Sequence, residues 1–202
     1  MGRQRKQGSG PASHQSVDAL SRLKRISTSS IRVREQVKAP QLDGIVEALD
    51  MLEDACAVMA QVRADLKLLA EPVIAASAEP DMATRALFAD EYDERRETLS
   101  SHVVGSQDAA AVLLSQDATA FSVVVDEVLT YRIGRFPIAL GPEGLGLPAP
   151  AGAFAEPREV VAVLKAIQAA LDKLDRATSR YAQDKAFLER KLAFLRDSVV
   201  QA

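Results

Sequence analysis

The sequence has no tryptophan, one cysteine and two histidines. A single cysteine excludes an intramolecular disulfide. Cys56 sits among apolar positions at helical spacing and reads as a small core residue rather than a nucleophile. His14 and His102 have no His or Cys partner at metal-ligand spacing, so no metal centre is expected. Aromatic residues make up only 4 % of a chain that is 48 % apolar and rich in alanine, which favours long, closely packed helices over a core of large rings. No apolar run approaches the ~18 residues needed to cross a bilayer, so no membrane insertion is expected. Arg3, Arg5 and Lys6 are followed by Gly, Ser, Pro and His, where a cleavable signal peptide would have its apolar stretch. A strong charge of one sign is also missing. The net charge of −3 provides no global field towards nucleic acid or an acidic membrane.

Catalytic signatures are equally scarce. Gly141-Pro-Glu-Gly-Leu-Gly is glycine-rich but lacks the Gly-Lys-Ser/Thr of a phosphate loop. No serine stands in a nucleophile-elbow context. The charged run from Asp90 to Glu97 reads as a solvated helix face. The sequence predicts neither an enzyme nor a bound cofactor; it describes an assembly surface.

What is present is a long helical seam. From Arg158 to Val199 the positions Val160, Leu164, Ile167, Leu171, Leu174, Thr178, Tyr181, Lys185, Leu188, Leu192, Leu195 and Val199 alternate steps of four and three. That spacing averages 3.5 residues and keeps one helical stripe facing a partner helix. Pro157 suits a first helical turn. A helix of this length is roughly 60 Å long, a rod that needs other helices along it. Thr178 and Lys185 predict a looser middle.

A second pattern follows Asp43, a candidate N-cap, through Ile45, Leu49, Leu52, Cys56, Met59, Val62, Leu66, Leu69 and Val73. Pro72 is expected to kink or end it. A weaker pattern, Val17 to Val37, contains Leu20, Leu23, Ile26 and Val33, with Ser27 to Ser30 lowering helix propensity. Pro40 is expected to close that segment. Pro80-Asp81 restarts a helix carrying Phe88, Tyr92, Arg95, Leu99 and Val103 on one stripe. Beyond Gly105 the period changes. Phe121 to Val125 and Leu129 to Ile133 are β-branched and aromatic, with turn residues at Asp126, Glu127 and Gly134, and suit a hairpin. Phe136 to Leu140 is a candidate third strand. The expected fold is mainly α: an elongated antiparallel helical bundle with a small β-hairpin region. Its expected organisation is a disordered basic arm over 1–16 and a helical rod over 17–202, with a β-rich insertion at about 115–140 and a Gly/Pro loop at 141–157.

The order of these elements resembles bacterial flagellins, and several runs carry the likeness. Thr84-Arg-Ala-Leu-Phe-Ala-Asp-Glu-Tyr-Asp93 is similar to the flagellin R-A-x-L-x-x-x-Y stretch on the second helix of the outer-core domain. Gly105 through Leu114 and then Asp117 resembles the following segment, with an alanine run in place of its asparagine-bearing motif. Gly144-Leu-Gly-Leu-Pro148 and the 158–199 helix resemble the join between β region and C-terminal helix in short flagellins. Ala177-Thr-Ser-Arg-Tyr-Ala182 and Phe187 to Phe194 are similar to the motif region of that helix, although the flagellin glycine is missing.

The resemblance implies a structural component of, or assembly factor for, the flagellar filament. Such a protein is exported without a cleaved signal to the extracellular flagellum. It packs beside flagellin or hook-associated subunits and uses an export chaperone, with no nucleic-acid partner. The packing seam expected from the two apolar patterns themselves is Val160, Leu164, Ile167, Leu171, Leu174, Leu188, Leu192 and Leu195 against Ile45, Leu49, Leu52, Met59 and Leu66. Flagellins continue into a further terminal helix that pairs with an apolar N-terminal one, whereas this sequence stops at Ala202. The expectation is therefore entry into a filament only alongside an intact flagellin. Two other readings remain open: a diverged relative at the hook junction or acting as a cytoplasmic accessory factor, and a helical-bundle adaptor unrelated to flagella that binds partners through the 158–199 seam.

Overall fold

The computed structural model describes residues 14–105, 110–117, 119–126 and 128–200, without side chains at 14–40, 102–105 and 199–200. Most of the expected basic arm, Glu127, and the side chains of Val17 to Val37, Val103 and Val199 lie outside the described residues. The elements in order are α1 (His14–Ala78), α2 (Met82–Gly105), α3 (Ala111–Leu114), β1 (Phe121–Val124), β2 (Thr130–Ile133) and α4 (Pro157–Val200).

Helix α1 runs unbroken through both prolines, which corrects the sequence reading: Pro40 does not close a segment and Pro72 does not end the helix. A helix-interior proline loses one hydrogen bond and clashes with the preceding turn, costing about 3 kcal/mol. Burial offsets that cost at Pro72, which is itself buried between Leu69, Val73 and Ala76. Beyond Pro40 the buried Ile45 and Ala48 hold the chain in the same helix. Asp43 is consequently an exposed mid-helix residue and not a cap. The restart at Pro80-Asp81 occurs as expected. Asp81 Oδ2 accepts from the Thr84 backbone N–H and hydroxyl, each at 2.8 Å. Those bonds, the hydroxyl first, lower the Asp81 carboxyl below its ordinary pKa.

Helices α1 and α4 pack along one another as an antiparallel pair. Two ion pairs set the register: Arg63 with Asp175 at 3.1 Å and Lys185 with Glu53 at 2.9 Å. The residue numbers of each pair add to 238, as an antiparallel alignment requires. Helix α2 packs on α1 as well, where Arg95 binds Glu71 at 2.8 Å and also the Leu68 carbonyl. Among the described residues it makes no comparable packing with α4. Its inner side meets the loop before α4 instead, through Tyr92 and Arg85. The hairpin is antiparallel, with Phe121 opposite Ile133 and Val124 opposite Thr130, and β1 leans on α1. Phe136 to Leu140 is not its third strand. Pro137 has no N–H for a sheet ladder. Phe136 and Ile138 on either side of it donate to the Leu113 and Leu114 carbonyls at the end of α3.

Candidate functional site

The candidate surface is the helical seam together with the loop and hairpin that cover it. All thirteen expected seam residues belong to one core: ten are buried, while Leu49, Leu164 and Leu171 are half-buried against it. On α4 the buried line is Val160, Val163, Ile167, Ala170, Leu174, Ala177, Tyr181, Asp184 and Leu188. Every second position matches the expected seam, and the others lie one residue earlier. Thr178 and Lys185 therefore do not interrupt it; Ala177 and Asp184 hold their places. The physical reason is that α4 is covered from two sides, by α1 and by the hairpin with its neighbouring loop. Small residues admit that second layer. The seam is used up within the chain, so it is not a free stripe for an outside helix.

The hairpin is fastened to α4 by aromatic residues. Tyr131 stacks on Phe187 with ring centroids 4.3 Å apart, and its hydroxyl donates to Asp184 Oδ1 at 2.6 Å. Tyr181 donates to the Gly134 carbonyl at 3.0 Å. Asp184 Oδ2 is buried without a hydrogen-bond partner among the described residues. Beside this fastening lies an open cleft of about 660 Å³ lined by Tyr131, Arg176, Arg180 and Asp184 among others. A second cleft of about 610 Å³ shares Arg180 and adds Arg132 and Gly134.

Burial, and then the hydrogen bond to the Asp184 carboxylate, push the Tyr131 hydroxyl up to about 12. Burial raises Tyr92 to about 12 and raises Tyr181 as well. An unfolded tyrosine ionises near pH ~10. The native chain keeps these phenols neutral where the unfolded chain would ionise them. Their stabilisation is thus fully present below about pH 10 and is lost as pH rises towards about 12. Thermal melts from neutral to alkaline pH should show a steep fall beginning near pH ~10, with tyrosinate absorbance appearing together with the loss of helical signal. Tyrosinate formed while the helices stay intact would contradict this.

The loop before α4 is pinned by Arg85. Its Nε donates to the Phe154 carbonyl at 2.9 Å and Nη2 to that of Ala155 at 2.8 Å. Nη1 donates to Glu79 and Pro80 at 3.0 and 2.9 Å. Ala153 and Phe154 are both left-handed, at φ 49° and 58°, a conformation that disfavours residues with a Cβ. The fully buried Phe154 ring, tilted against Tyr92 at 5.8 Å, offsets that strain. Tyr92 Oη donates to the Pro148 carbonyl at 2.7 Å. Earlier in the loop, Leu145 and Leu147 donate back to Ala139 and Leu140, and Lys173 reaches the Gly144 carbonyl at 3.0 Å. A Cβ on Gly144 would overlap the Ala139 backbone. Gly144→Ala should therefore cost about 1–3 kcal/mol as a steric insertion. Chemical denaturation would read this as a lower midpoint at unchanged slope; an unchanged midpoint would mean that the loop can move aside.

Cys56 is half-buried, and burial raises its thiol pKa, which suits a packing residue rather than a nucleophile. Among the described residues no three or more His, Cys, Asp or Glu gather as a metal site. No described helix is long and apolar enough to cross a membrane. Sequence reasoning missed Arg85 and Asp184, since a charged residue at a core position carries no periodic signal. No protein-family profile matches the chain, and a search of curated proteins finds no match.

Proposed function

We propose that this chain is a flagellin-like structural protein that packs beside filament or hook-associated subunits through the outer faces of its helical rod. The observation that carries the reading is the arrangement of elements. A long helix pairs antiparallel with a returning long helix, α2 lies along the first, and a hairpin and a Gly-Leu-Gly-Leu loop sit between α2 and α4. That is the order implied by the flagellin-like runs at 84–93 and 144–148. The pairing in the interior is complete without a partner, leaving the outer faces for neighbours. Exposed apolar side chains are available there: Leu68, Ile74, Leu87 and Phe194 are each more than half exposed.

The test is co-assembly. Flagellin monomers are grown into filaments with and without the tagged 202-residue chain, and the tag is imaged by electron microscopy. The expected result is label along or at the base of flagellin filaments. Label wholly in the soluble fraction would overturn the proposal.

A further inference from the structure

The two outer sides of the α1–α4 pair carry opposite, unused charge. On α1, Asp43, Asp50 and Asp54 are exposed. Asp50 and Asp54 lie roughly half a turn round the helix from the buried Leu52, on the side away from α4. On the other side, Arg176 and Arg180 of α4 and Arg132 of β2 are exposed around the clefts beside the hairpin. None of these six side chains has an ion pair or hydrogen bond among the described residues. The charged groups that hold the helices together, the carboxylates of Glu53 and Asp175, the Arg63 guanidinium and the Lys185 ammonium, are separate from them.

We infer that a second copy of this chain docks sideways, with the aspartate side of one rod against the arginine side of the next. The register places Arg180 opposite residue 58 of α1, one turn beyond Asp54, so a sideways shift with a small slide brings the two faces together. A surface of free carboxylates and its complement on the far side of the same rod form a head-to-tail contact, which extends in rows rather than closing as a symmetric pair. Arginine suits the role because its planar fork can take a carboxylate in two parallel hydrogen bonds. Exposed ion pairs contribute little singly, so the contact is weak and acts when several charges engage together and salt is low. The inference rests on the side-by-side packing proposed above and adds the faces and the partner. It can fail alone, because packing against flagellin through exposed apolar residues needs no contact between copies.

Sedimentation velocity of the full chain at about 20 mM and about 500 mM salt tests it, since screening then shortens from roughly 20 Å to about 4 Å. The expected result is concentration-dependent association of the wild type at low salt only. Arg176→Glu/Arg180→Glu and Asp50→Arg/Asp54→Arg should each be monodisperse alone, with unchanged helical spectra. An equimolar mixture of the two should associate again, because one variant is acidic on both sides and the other basic on both. A monodisperse wild type at low salt would overturn the inference, as would association untouched by either variant or a mixture that stays apart. Phosphatidylserine vesicles added as a further arm should leave wild type in solution. Sedimentation of a monomeric wild type with vesicles, lost in the arginine variant, would assign that face to a lipid surface instead.

Discussion

Leu188→Ala should lower the stability of this protein by about 2–5 kcal/mol, the usual cost of removing a buried leucine side chain and leaving a cavity. Leu188 is fully buried between α4 and α1, whose facing stripe near that level includes the equally buried Leu52 and Ala48. For a chain of this size each kcal/mol lowers the melting temperature by about 2–4 °C. The loss is therefore visible in an ordinary thermal melt. Leu171→Ala should cost less, because Leu171 is only half-buried. Gln183→Ala, at an exposed position, should leave the melt within experimental scatter. Lys173 is not a neutral control even though it lies off the seam, since its ammonium holds the Gly144 carbonyl. Equal melting temperatures for the Leu188, Leu171 and Gln183 variants would remove the case for a buried seam.

The second large effect is expected at Arg85. Its side chain satisfies four backbone carbonyls from two separate segments, the α1–α2 turn and the loop before α4. Arg85→Ala leaves those acceptors facing a void. A hydrogen bond to a charged group is worth about 1.5–3 kcal/mol, and buried acceptors left alone carry a desolvation cost. Allowing for water reaching some of them, the loss should be about 3–5 kcal/mol. Arg85→Lys should recover only part of it, because an ammonium has no planar fork to span both segments. Hydrogen exchange would show accelerated amides at 153–155 in both variants while the middle of α4 stays protected. Full stability in Arg85→Ala would mean that the left-handed Ala153-Phe154 turn is held by Phe154 packing alone.

Much of this architecture was legible from periodicity. The 4/3 spacing placed α4 within a residue at either end, because a long amphipathic helix without internal Gly or Pro has few competing conformations. The hairpin was legible from its β-branched runs. The closing of a segment at Pro40 and the ending of the helix at Pro72 were misread because a proline rule weighs one local loss of about 3 kcal/mol and not the burial around Pro72 or beyond Pro40. The shift of alternate seam positions was hidden for a related reason. A reader of apolar size chooses Leu164 and Leu171, whereas close packing from two directions selected Val163, Ala170 and Ala177. Arg85 and Asp184 were invisible, since each is buried by partners distant in sequence: the carbonyls at 154 and 155, and the Tyr131 hydroxyl.

The rod itself can be checked by a pair of distances. Spin labels placed through Asp43→Cys with Arg196→Cys, and through Asp43→Cys with Lys165→Cys, both in a Cys56→Ser background, probe three exposed positions. The register from Arg63–Asp175 and Lys185–Glu53 puts residue 43 beside 195, with neighbouring helix axes about 8–10 Å apart. Residue 165 then lies some thirty residues further along α4, about 45 Å away at the helical rise. Double electron–electron resonance should give the short distance for the 43/196 pair and the long one for the 43/165 pair. The reverse order, or long distances for both pairs, would show that α1 and α4 do not form the antiparallel rod on which the proposed function depends.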